Sequence, residues 1–183
     1  MTEENYQEIR EIFIGQAKSF IENAGQMLAH ITVYANHKDV ENSDDSGKPS
    51  IIHIPIPPSF LESEESKDEF IDEVMPGVAK EIRKKFDTQA VGWASEAWLR
   101  TAHKDDPGLD NWKDMPIKKE VLILILEAEN KTECIVYEMK RNGQKVNSDG
   151  DLVDDIQLEE LKDMTGSGGQ MAGRFFGLYN LIK

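Results

Sequence analysis

Cysteine is almost absent: Cys134 is the only one. A single thiol excludes an intramolecular disulfide and a cysteine-cluster metal site. Long apolar runs are missing too. The longest unbroken aliphatic stretch is Val121 to Leu126, far short of the roughly 20 residues that span a bilayer as a helix. Positive charge is scarce, with 21 Lys and Arg against 35 Asp and Glu and a formal net charge of −14. A field of that sign repels nucleic-acid phosphates and anionic lipid head groups, so neither nucleic acid nor membrane is an expected partner. The consecutive Arg83-Lys84-Lys85 reads most simply as a solvated helix face. The opening Met1-Thr2-Glu3-Glu4-Asn5 has neither a basic nor an apolar leader character. With the lone cysteine, this points to a soluble, cytoplasmic protein.

What is present is ample for a core. The 183 residues are 39% apolar and 31% charged, which fits one domain over 1–183. Tyr6, Ile9, Phe13, Ala17, Phe20, Ile21 and Ala24 recur at helical spacing, with Gly25 as a stop. Met27 to Ala35 and Ile51 to Ile56 read as strands, the second placed at a sheet edge by Pro55. Ser66-x-x-Glu69 resembles a capping box opening a helix that Pro76-Gly77 must kink or split. Ala90 to Arg100 reads as a strand. Glu120 to Ala128 reads as a central strand, because both of its alternating faces are apolar. Thr132 to Lys140 reads as another strand, ending at Asn142-Gly143. Leu152 to Leu161 suits a short helix, and Arg174 to Ile182 a last strand. The expected class is α+β, with a mostly antiparallel sheet of five to six strands and two main helices, ordered α-β-β-α-β-β-β-(α)-β.

Candidate chemistry is thin. Glu96, Trp98 and Arg100 share one strand face. A carboxylate between small residues and an indole suits a ligand pocket with a raised pKa; pairing of Glu96 with Arg100 or another basic neighbour is the plainer alternative. Alternation in the first two strands puts His30, Thr32 and Tyr34 on the same side as His53. Two imidazoles can touch a metal, yet a catalytic site needs a third ligand, and none stands at a motif spacing. Glu138-Met139-Lys140 has the Glu-x-Lys spacing of metal-dependent PD-(D/E)xK nucleases, a short match that the net charge opposes. The acidic stretches 41–45 and 149–155 lack calcium-loop spacing. Gly166-Ser167-Gly168-Gly169 lacks the residues of a phosphate loop. Cys134 reads as strand packing. No metal and no cofactor is implied.

Ser95-Glu96-Ala97-Trp98, Ile117-Lys118-Lys119-Glu120-Val121 and Gly173-Arg174-Phe175 together resemble a group of small bacterial and phage-associated proteins of unassigned function. The resemblance covers about the second half of the chain and implies no activity. The function expected from the residues is that of a non-catalytic binding or assembly protein. The alternatives are an enzyme or small-ligand binder around Glu96 and Trp98, or a nuclease using Glu138 and Lys140. The apolar crowding of Arg174–Ile182 favours a homodimer; another protein partner is the second possibility.

Overall fold

The computed structural model describes residues 1–38, 48–99, 119–162, 166–167 and 177–183, with 166–167 described by their backbone. Helix α1 spans Glu3–Ala24, and the Thr2 side chain caps it by accepting from the Asn5 N–H. Strands β1 (His30–His37) and β2 (Ser50–Pro55) follow, then a short 3-10 turn at Pro58–Leu61. Helices α2 (Glu64–Glu69) and α3 (Met75–Lys85) flank a π-turn at Phe70–Val74. The capping box is Ser63 with Ser66, one turn earlier than the sequence suggests. Pro76 sits in the first turn of α3, directly after the π-turn that interrupts the helical run. The remaining elements are β3 (Phe86–Leu99), β4 (Lys119–Ala128), β5 (Lys131–Val146), β6 (Leu152–Glu160), β7 (Gly166–Ser167) and α4 (Leu178–Ile182).

The sheet order is β2-β1-β3-β4-β5-β6, with β7 also paired to β5. Every pairing is antiparallel, so the α+β class and the mostly antiparallel sheet stand. Three assignments change. Leu152–Glu160 is a strand, because Ile156 and Leu158 alternate onto the α1 side. Asn142-Gly143 makes a bulge within β5, and the strand continues to Val146. The C-terminal apolar segment is helical over Leu178–Ile182, while 174–176 lie outside the described residues.

The sheet is packed on both faces. On the front, Tyr6, Phe13, Ala17 and Ile21 of α1 meet Leu122, Leu124 and Leu126 of β4 and Ile135 of β5. Phe13 is 1% exposed, a burial that contributes on the order of 2–3 kcal/mol. Gly92 of β3 lets it in: a Cβ there would lie 2.6 Å from the Phe13 ring. On the back, Met75, Ala79 and Ile82 of α3 and Leu178 and Ile182 of α4 cover Ile31, Val33 and Val91. Glu127, buried on β4, accepts the N–H groups of Gly177 (2.6 Å) and Tyr179 (2.9 Å). It thus satisfies donors that would otherwise be orphaned at the start of α4.

Both outer strands are blunted against further pairing. Ile56 N–H donates to Ala29 O at 3.0 Å. The inward positions of β2 are therefore Ile52 and Ile54, and Pro55 falls at an outward position where it has no donor to offer. At the other edge β6 carries Asp154, Asp155, Glu159 and Glu160. Among the described residues no helix is long and apolar enough to cross a membrane.

Candidate functional site

The C-terminal end of α1 is where charge concentrates. Gly25 caps the helix in the left-handed region (φ 68°), and its N–H donates to Ile21 O at 2.9 Å. A side chain there would strike Asp154 N at 2.6 Å, so the helix end rests directly on β6. The last turn of α1 has no basic residue of its own. Arg141 of β5 supplies the positive charge that a helix C-terminus favours. Its guanidinium donates to both oxygens of Glu120 (2.8 and 2.5 Å), to Asp154 (2.5 Å) and to Gly25 O (3.3 Å). Glu96 Oε2 lies 3.5 Å from the same guanidinium, and Glu96 Oε1 accepts the Met27 N–H at 2.5 Å.

Burial pushes the Glu96 carboxyl above its ordinary value, and the nearby Glu120 and Asp154 add to the rise; Met27 N–H and Arg141 pull the other way. The raised pKa expected from the sequence is therefore present, but the group is engaged in fastening α1 to the sheet. Its basic neighbour is Arg141, which sequence spacing could not have paired with it. Trp98 is 59% exposed, and Arg100 lies outside the described residues. The helix is fastened at its other end as well: Arg10 Nε and the Tyr6 hydroxyl both donate to Glu133, at 2.8 and 3.3 Å.

Glu138 and Lys140 are also engaged, each in an ion pair. Lys119 donates to Glu138 at 2.5 Å, and Lys140 donates to Glu159. Among the described residues no group of three or more His, Cys, Asp or Glu is placed to hold a metal. Cys134 is buried beside Val121, Ile125 and Val136, and burial raises its thiol pKa. That environment favours packing over reactivity.

The concave site lies elsewhere. A groove of about 850 Å³ opens between one flank of α1 and the front of β1–β2. Ser19, Phe20 and Ala24 form its helical wall, His30 and His53 its floor, and Asp149 stands on the same lining. Asp149 arrives there because the Asn147–Asp151 turn docks on α1: Asn147 Nδ2 donates to Asn23 O at 2.8 Å. The His30 and His53 ring centres are 5.7 Å apart, edge to face. The alternation argument for the two imidazoles is therefore correct, with Thr32 directly paired to His53 in the register. His30 Nδ1 lies 2.9 Å from Leu28 O, and His53 Nδ1 lies 3.2 Å from Thr32 Oγ1. The groove itself was not legible from the sequence, since it depends on where α1 stops covering the sheet.

Partial burial, with the His30 imidazole second, lowers the His53 pKa below the ordinary 6.5. The folded protein thus holds that proton less tightly than the unfolded chain. The stability contribution of His53 is fully present above pH 6.5 and is lost as pH falls through the lowered folded value. Glu96 has the opposite sign: its contribution is present below 4.5 and lost as pH rises through the raised value. A His53→Gln variant removes the first effect alone. The melting-temperature advantage of wild type over this variant should shrink between pH 7.5 and pH 5. A constant difference across that range would mean that the folded environment, chiefly partial burial, does not lower the His53 pKa.

No protein-family model matches the chain, and no curated protein or solved structure does so either.

Proposed function

We propose that this chain is a non-catalytic binding protein whose ligand occupies the groove between α1 and β1–β2. The observation that carries this reading is the groove itself: concave, largely apolar, of small-molecule size, and crossed by a few convergent polar groups. Catalysis is the weaker reading because the nearest hydroxyl–imidazole pair is ill placed for it. Thr32 is 0% exposed, so its hydroxyl cannot meet a substrate. His30 Nδ1 is spent on the Leu28 carbonyl and His53 Nδ1 on the Thr32 hydroxyl, so no carboxylate orients either imidazole through these bonds.

A second reading is that a protein seats an apolar side chain in the same groove. It is favoured by Phe20 and Leu28, 42% and 56% exposed on the lining. A second copy of this chain is one such partner. The C-terminal crowding that suggests a dimer is partly accounted for within the chain, since Leu178, Tyr179 and Ile182 are buried. The net charge of −14 continues to argue against nucleic acid.

The test is a thermal-shift screen with small neutral aromatic compounds, run in parallel on wild type and Ser19→Trp. The added indole fills the groove from the exposed helix wall. Compounds that raise the melting temperature of wild type should have no effect on the filled variant, because a ligand stabilises only the form that binds it. Equal shifts in both proteins would remove the groove from consideration.

A further inference from the structure

We propose that the groove selects a neutral, mostly apolar molecule that donates an N–H or O–H to His30 Nε2, and rejects an anion of the same shape. This rests on the groove being the binding site. A backbone carbonyl can only accept, so the 2.9 Å contact between His30 Nδ1 and Leu28 O requires the proton on Nδ1. In the neutral imidazole this leaves Nε2 with a bare lone pair. The tautomer is assigned by its partner, and His30 lies on the groove lining, so its Nε2 lone pair is the acceptor this residue has to offer a ligand. His53 is not fixed in this way, because the Thr32 hydroxyl can give or take the bond.

The rest of the lining agrees. Among the described residues no lysine or arginine lines the groove, while Asp149 does. An anion would thus enter with no counter-charge, against one local carboxylate and the −14 of the chain. The Gln16 side-chain oxygen already accepts the Tyr34 hydroxyl at 3.1 Å. The Gln16 amide N–H groups are neutral donors, which suit an uncharged acceptor on the ligand body. Phe20, Leu28 and Pro55 supply apolar surface for the remainder of such a molecule.

Three matched fluorescent probes separate the contributions: N-phenyl-2-naphthylamine, its N-methyl derivative and its 6-sulfonate. The amine should bind wild type saturably and fail to bind Ser19→Trp. N-methylation removes the only donor and should weaken binding about three- to tenfold in wild type, the range of one hydrogen bond. In His30→Leu, which keeps the bulk and loses the acceptor, the amine and its methyl derivative should bind alike. The sulfonate should bind wild type at least about tenfold more weakly than the amine. Equal affinities for amine and sulfonate would overturn the charge selection. A methylation penalty that survives in His30→Leu, or is absent from wild type, would overturn the acceptor role of His30. Failure of the amine to bind, or equal binding to Ser19→Trp, would overturn the groove as a site and this inference with it.

Discussion

Replacing Leu124 with aspartate is expected to leave no soluble, folded protein. Leu124 is 0% exposed in the middle of β4, beneath α1, among Leu122, Leu126 and Ile135. An aspartate there buries a charge with no partner, which costs several kcal/mol even after the carboxyl takes up a proton. Total stability of a domain is on the order of 5–15 kcal/mol, so one such change removes much or all of it. Leu124→Ala, which only opens a cavity, should cost about 2–5 kcal/mol and still fold. Ile123→Asp is the instructive neighbour. Ile123 points to the back face and is only partly buried, so its aspartate should be milder. Soluble yield and near-ultraviolet circular dichroism of the three variants check the order. Native spectra for Leu124→Asp would mean that α1 does not cover β4.

Arg141→Met is expected to lower stability by about 2 kcal/mol, or roughly 4–8 °C in melting temperature for a chain of this size. The change leaves Glu96, Glu120 and Asp154 facing one another without the cation that joins them. Breaking a buried pair costs about 3–5 kcal/mol. The estimate is reduced because the Arg141 and Asp154 side chains are 33% and 41% exposed and solvent screens them. Adding Glu120→Gln removes one of the stranded charges, so the double variant should recover part of the loss. Chemical denaturation of the four proteins in the cycle gives the coupling directly. Strictly additive losses would show that Arg141 and Glu120 do not act as a unit.

The parts of the fold legible from sequence were those where alternation speaks for itself. Val121–Leu126 is apolar on both faces, and β4 lies inside the sheet between β3 and β5. Pro55 marked β2 as an edge, and the shared side of His30 and His53 followed from the Ile31–Val33 and Ile52–Ile54 stripes. Leu152–Glu160 misled because its apolar residues, at 152, 153, 156 and 158, satisfy helical and strand spacing about equally. Asn142-Gly143 misled because the same dipeptide serves a hairpin and a bulge. Arg141 escaped notice altogether. Its partners lie 13 to 116 positions away in sequence, so no local pattern announces it.

The floor of the groove is the least shared part of the sheet. Among the described strands β2 has a single neighbour, and the amides of Ile52 and Ile54 are turned inward toward β1. Such outermost ladders open by local fluctuations that cost less than global unfolding. Deuterium should therefore reach Ile52 and Ile54 early, well before the amides of β4. A molecule lodged between α1 and His53 would tie that strand to the helix and slow its opening. These two isoleucine amides are thus a built-in clock, whose rate reports occupancy of the groove with no label attached.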